Sequence, residues 1–417
     1  MYINFSGLLY AVSYALDCVE GELTGVSAGH SKRVACCCAA MGNKMGMTPE
    51  DLMDLSAYAC LHDNALTQYI SEELRAYHSQ DVTSLRSHCL IGERNISRFP
   101  FNNKVCNVIM YHHETADGKG PFGQTASETP LFAQLVHIAD MVDVQYNLGD
   151  PTNDKYENVK EFLSDTSGTV FSQECVDIFL DTFSEEELRN LKTEYAEEKL
   201  KQLVPDGMMD YTYQQIVDVV DIFARIIDYK SEFTRQHSLG VARRAFAMAC
   251  HYGYSEEECY RLYIAGALHD IGKMAINNDV LEKPAQLTQR EYIYMQTHAY
   301  YTWQIMSQIK GFDDITRWAS FHHEKLDGSG YPFSLTGDKL DHNCRLMACI
   351  DIYQALSEDR PYKKSMDHDK SIMIMRQMAD EGKLDGDIVG ELDKVMNDFK
   401  CDDTVFADNR AAAAGKG

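Results

Sequence analysis

The sequence predicts an all-α protein built as two tandem helical bundle domains. Three observations lead there. The chain repeats itself at long intervals, most of it carries apolar residues at helical spacing, and no convincing run of alternating strand residues appears. A chain of 417 residues has room for two or three domains, each with its own core.

The repeat is read from words and intervals. GHSKRV at 29–34 recurs as QHSLGV at 236–241, and LHD at 61–63 as LHDIGK at 268–273. HHETADGKGPF at 112–122 recurs as HHEKLDGSGYP at 322–332, and HIAD at 137–140 as CID at 349–351. His30 to His62 and His237 to His269 both span 32 residues; His88 to His112 and His298 to His322 both span 24. Two matched intervals with matched flanking words imply an internal duplication. The remaining intervals differ by one to three residues, as short loop insertions would make them.

In chain order, MYINFSGLLYAVSYALDC is too short and too interrupted for a membrane span and reads as a buried or amphipathic helix. Residues 184–203 read as one helix, capped by Ser184 with Glu187 three residues on. Pro205, Asp206 and Gly207 break it, so the domains are expected at 1–205 and 206–400, with a flexible tail at 401–417. Residues 214–229 and 258–270 have helical periodicity, and loops rich in Gly, Asp and Pro are expected at 115–130 and 326–342.

Composition narrows the function. Lys and Arg number 39 against 64 Asp and Glu, a formal charge of −25, which argues against a DNA or RNA scaffold. A small anion remains a feasible ligand where a metal or a local cation supplies attraction. Thirteen Cys, three of them consecutive at Cys36, Cys37 and Cys38, and no CxxC pair fit reduced buried thiols in a cytoplasmic protein better than disulfides or a zinc ribbon. Neither membrane association nor a signal peptide is expected.

The second half gathers His237, His269, Asp270, His298, His322, His323 and Asp351. Imidazole and carboxylate suit iron, manganese and similar ions. Seven such groups exceed one tetrahedral ion and match two octahedral ions that share a carboxylate. Asp270, which follows a ligand directly and has two oxygens, is the natural bridge. His237, His269, Asp270 and Asp351 are assigned to one ion; His298, His322, His323 and the other Asp270 oxygen are assigned to the second. On a helix, Lys273 would lie one turn from His269 on the same face.

HDIGK with HHEKLDGSGYP resembles the HD-GYP family of metal-dependent cyclic dinucleotide phosphodiesterases, within the wider HD phosphohydrolases. The resemblance continues through NNDVLEKPAQLTQRE (277–291), MQTHAY (295–300) and DIYQALSEDRPYK (351–363), covering most of the second half. It implies a helical fold and makes the seven residues above ligands of two divalent ions, iron or manganese. It makes Asp270 and Lys273 catalytic, with Lys273, Arg360 and Lys363 contacting phosphate. Gly328, Gly330, Tyr331 and Pro332 would border the substrate cleft. Some members carry a glutamate four residues before the first histidine that holds a third ion; here that position is Phe233, with Glu232 one residue off, so two ions are expected. The implied reaction is hydrolysis of a cyclic dinucleotide, cyclic di-GMP first and cyclic GMP-AMP second, to the linear dinucleotide by a hydroxide shared between the ions. A broader phosphohydrolase and a non-catalytic dinucleotide sensor are the alternatives.

The first copy keeps the seven positions as His30, His62, Asp63, His88, His112, His113 and Asp140, so a second metal pair is expected to be possible there. Its phosphate handles are altered. Leu66 replaces the lysine, Pro121 and Phe122 replace Tyr-Pro, and Gly149 stands where Arg360 does. An auxiliary domain with an altered site is expected, with Lys119 as a possible substitute cation.

Overall fold

The computed structural model describes residues 1–24, 27–66, 82–150, 155–204, 208–230, 237–358, 364–397 and 399. The chain divides into two compact units, one of Asn4–Met209 and one of Asp210–Gly417 that also includes Met1–Ile3. Both are helical. A two-stranded ladder of Tyr2–Asn4 with Met208–Asp210, which the sequence does not signal, is the only sheet among the described residues. No described helix is long and apolar enough to cross a membrane.

In the first unit the helix His30–Lys44 is central. It packs against Pro49–Cys60, Leu131–Tyr146 and Thr193–Leu203, and His30 through Gly42 are all buried. Small side chains make that possible: Ala35, Cys36, Cys37, Cys38, Ala39 and Ala40 let neighbours close in from every side. The opening segment forms the helix Phe5–Thr24, with Leu8, Val12, Ala15 and Val19 in the core.

Residues 184–203 form two helices rather than one, Glu185–Asn190 and Thr193–Leu203. The Ser184–Glu187 capping box is present. The chain then bends at Leu191, and Leu188, Leu191, Ala196 and Leu200, on the apolar side of both segments, are all buried. Residues 205–207, where the sequence places the break, and the tail 401–417 lie outside the described residues.

The second unit repeats the plan. Capping boxes start Tyr213–Tyr229 (Thr212 with Gln215), Glu256–Leu268 (Ser255 with Glu258) and Gln289–Met306 (Thr288 with Glu291). Between them lie His237–His251 and a 3-10 turn, Ile271–Ala275. After them come Asp313–Ser320, His342–Ser357, His368–Asp380 and Gly386–Met396. Gly272 fixes one junction. A Cβ there would lie 2.0 Å from the His298 carbonyl oxygen, so only glycine lets the 3-10 turn rest on the Gln289–Met306 backbone.

Candidate metal centre

In the second unit the seven residues come from the ends and middles of five segments. His237 opens its helix, and His269 and Asp270 follow the last turn of Glu256–Leu268. His298 and Asp351 sit within helices, and His322 and His323 lie in the turn after Asp313–Ser320. All but His323 are buried.

Backbone chemistry aims three of the rings. The Nδ1 atoms of His269, His298 and His322 meet the carbonyls of Gly266, Met295 and Ala319 at 2.7, 2.7 and 2.5 Å, each three residues earlier in its own turn. A ring that donates Nδ1–H this way presents a lone pair at Nε2. Asp270 receives these atoms on two sides. Its Oδ2 lies 3.3 Å from His269 Nε2 and 3.9 Å from His237 Nε2; its Oδ1 lies 3.5 Å from His298 Nε2 and 3.9 Å from His322 Nε2. Asp351 Oδ1 lies 3.1 Å from His237 Nε2 and 3.7 Å from His269 Nε2, and its Oδ2 lies 3.8 Å from His323 Nδ1. His237, His269 and Asp351 thus form one group able to hold an ion, His298, His322 and His323 another, and Asp270 lies with His269 and His322 between them.

The cluster fits cations on its own chemistry. Among the described residues His269 Nε2 and Asp270 Oδ1 are buried without a hydrogen bond, and leaving such an atom unmatched costs about 1–3 kcal/mol. Burial holds His298 down to about 4, desolvation of the part-exposed His323 ring lowers it to about 3, and burial with the neighbouring His323 holds His322 well below the usual imidazole range. These three rings are therefore neutral at pH 7, the form that ligates. Burial alone would raise the Asp270 carboxyl, but the neighbouring His269 and Lys273 outweigh it and hold it well below the usual carboxylate range.

Lys273 departs from the helical expectation. The α-helix ends at Leu268, and Gly272 turns the chain onto the neighbouring helix, so Lys273 sits in the 3-10 turn. Its Nζ lies 2.5 Å from Asp270 Oδ2, a pair three residues apart, rather than one α-turn from His269. Gly330 is buried where a Cβ would lie 2.5 Å from Glu324 Cα, the His323 oxygen and Lys325 N. Gly328 has φ +76°. Tyr331 packs its ring on His323, centroids 4.7 Å apart, with Pro332 beside it half-buried. Arg360, Lys363, Glu232 and Phe233 lie outside the described residues.

Two carboxylates escaped the sequence reading. Glu358 Oε2 accepts from His237 Nδ1 at 3.0 Å. It lies two helical turns after Asp351, and that spacing was the available signal. Buried Glu324 accepts the N–H groups of Phe333 (2.7 Å) and Leu335 (2.9 Å) and so pins the glycine loop; the third letter of HHE was its signal.

The first unit builds the same centre. Asp63 Oδ2 lies 3.5 Å from His62 Nε2, while its Oδ1 lies 2.9 Å from His88 Nε2 and 3.8 Å from His112 Nε2. His30, His62 and Asp140 form one group able to hold an ion, and Asp63, His88, His112 and His113 form the other. The Nδ1 atoms of His62 and His112 meet the carbonyls of Ala59 and Ile109, and Glu114 pins its loop through the N–H groups of Phe122 and Gln124. His30 Nδ1 meets Asp143 at 2.7 Å, a carboxylate three residues after Asp140 rather than seven. Lys119 is exposed and paired with Asp117 at 2.6 Å. Glu20, also unanticipated, is buried beside His30, and burial with Asp63 and Asp140 nearby pushes its carboxyl up to about 9.

Comparison with known proteins agrees with this duplication. Models of the HD domain match residues 28–145 and 221–388. The chain is 28% identical over 395 residues to 3'3'-cGAMP-specific phosphodiesterase 1 of Vibrio cholerae, covering 93% of this chain and 90% of that protein. It is 30% identical over 318 residues to 3'3'-cGAMP-specific phosphodiesterase 3 of the same organism, covering 75% and 67%. The cyclic di-GMP phosphodiesterase response regulator RpfG of Xanthomonas campestris is 34% identical over 163 residues, covering 39% and 43%. A crystal structure of a cyclic GMP-AMP-specific phosphodiesterase of V. cholerae shares the fold, with a TM-score of 0.66 at 23% identity over 96% of this chain and 99% of that one. With both HD domains matched and a relative aligned over two thirds of its length, the chain belongs to the HD-GYP family of cyclic dinucleotide phosphodiesterases.

Proposed function

We propose that the second unit hydrolyses a cyclic dinucleotide to its linear form at the Asp270 centre. The observation that carries this reading is Asp270 itself, a buried carboxylate whose two oxygens face two separate histidine groups. His237, His269 and Asp351 would hold one divalent ion and His298, His322 and His323 the other, with Asp270 between. Ions so held supply an activated water at neutral pH and neutralise phosphoryl charge. Iron or manganese suits this mixture of imidazole and carboxylate.

The chain's own groups supply the rest. The carbonyl tethers keep the rings aimed, so no reorganisation is needed at the moment of reaction. Lys273, about one-fifth exposed, stands at the edge of the centre as the cation for a non-bridging phosphoryl oxygen. The loop pinned by Glu324 holds Tyr331 against His323, at the rim where a base would lie.

Sequence alone favours cyclic di-GMP. The relatives aligned over most of this chain are named for 3'3'-cGAMP, whereas RpfG aligns over 39% of it. We therefore place 3'3'-cGAMP first and cyclic di-GMP second. The first unit, with its cluster but with Leu66 where Lys273 would be, is read as an auxiliary domain. A cytoplasmic setting, with its thiols reduced, belongs to the same reading.

The test is turnover by the full chain loaded with manganese or iron, on both dinucleotides and on a simple aryl phosphate. Asp270→Asn should lose metal and turnover, and Asp63→Asn should keep turnover. Turnover that survives Asp270→Asn, or a preference for the aryl ester, would overturn the reading.

A further inference from the structure

The helices leading into the two clusters are anchored alike. Asp17 accepts the N–H and hydroxyl of Ser31 at 2.8 and 2.5 Å, one residue after His30. Asp228 accepts those of Ser238 at 3.2 and 2.6 Å, one residue after His237. This common clamp sets a common register. Three residues beyond it the first unit has Glu20, and the second has Ser231. The helix Phe5–Thr24 runs on past its clamp, whereas Tyr213–Tyr229 stops one residue after.

The extra turn brings a carboxylate to the cluster. Glu20 is 3% exposed, and its Oε1 lies 3.5 Å from His30 Nε2, the atom that Asp140 Oδ1 approaches at 3.3 Å. That nitrogen is buried without a hydrogen bond among the described residues, as are the Nε2 atoms of His62 and His112. The nearby cations are committed elsewhere. Arg33 pairs with Asp143 at 2.7 Å, Lys32 with Glu197 at 3.0 Å, and the lysine position of the second unit is Leu66. Three carboxylates, Glu20, Asp63 and Asp140, therefore converge on rings whose Nε2 atoms are unmatched, which favours a divalent cation.

We propose that Glu20 is an additional carboxylate ligand of a divalent-cation centre in the first unit, one with no counterpart among the described residues of the second unit. The proposal rests on the reading that the first cluster holds cations at all. A further oxygen donor shifts preference toward manganese over softer ions such as zinc. The first unit would then hold manganese more tightly than its degenerate loop suggests.

The experiment measures manganese bound per full-length chain, by elemental analysis after desalting and by manganese titration, for the parent, Asp63→Asn and Glu20→Gln. Asp63→Asn should lose the first unit's share. Glu20→Gln should weaken that share by ~10-fold or more, with turnover by the second unit unchanged. Should Glu20→Gln fold poorly by circular dichroism, Glu20→Asp, which withdraws the carboxylate by one methylene, gives the same readout. Full affinity in the Glu20 variants while Asp63→Asn loses metal would overturn the role of Glu20 alone. Full metal in Asp63→Asn as well would remove the underlying centre and the proposal with it.

Discussion

Glu358 Oε2 and His237 Nδ1 are 3.0 Å apart, which makes the carboxylate the outer partner of an imidazole whose other nitrogen faces Asp351. Outer partners of this kind fix ring orientation and raise ligand basicity. Glu358→Gln is expected to weaken metal binding by roughly 10- to 100-fold. Turnover at limiting manganese should fall and recover at saturating manganese, which a general loss of fold would not allow.

Lys273→Met removes the cation at the edge of the centre and leaves the histidines untouched. Loss of one such charge is expected to lower kcat on the dinucleotide by about 100-fold. Metal content should not fall, because Asp270 loses a competing partner 2.5 Å away. Elemental analysis beside single-turnover kinetics checks both halves.

Gly330 and Gly328 are expected to respond differently to alanine. At Gly330 the new methyl meets backbone on three sides at 2.5 Å, so the loop must move. We expect about 1–3 kcal/mol of destabilisation and a large drop in turnover. At Gly328 the nearest atom is Thr336 Cγ2 at 3.1 Å, and the positive φ sets the cost, about 1 kcal/mol. Urea unfolding of both variants separates the cases.

Glu291 provides a test in pH. Hydrogen bonds from Lys283 and then from the N–H and hydroxyl of Thr288 lower its carboxyl to about 2. A carboxyl held lower in the folded chain adds stability above its ordinary value near 4.5, and that stability disappears as pH falls through about 2. Glu291→Gln should therefore flatten the acid side of the stability curve between these values and leave it unchanged below them. Thermal melts across that range provide the check.

Much of the centre was legible because its ligands are rare residue types recurring at matched intervals. His62 and His269 stand in the same relation to their helices, and so do His88 and His298. Partners of those ligands were not legible. Glu20 and Asp143 are ordinary acids on helix faces and Glu358 directly follows a helix end, and three different spacings bring them to their rings. Helical periodicity also could not show the bend at Leu191, since the apolar pattern runs through it unbroken. Nor could it show Gly272 turning Lys273 off the helix, because that depends on a neighbour far away in sequence.

The carbonyls that tether His62, His112, His269, His298 and His322 all belong to the ring's own turn of backbone. The orientation of these five rings is thus inherited with the local backbone turn and owes nothing to the glycine loops. A duplicated domain can shed its lysine and rewrite its loop while the tethered imidazoles, His62 and His112 in the first copy, keep their aim. The two copies in this chain are therefore free to drift apart in what they recognise long before they differ in what they can chelate.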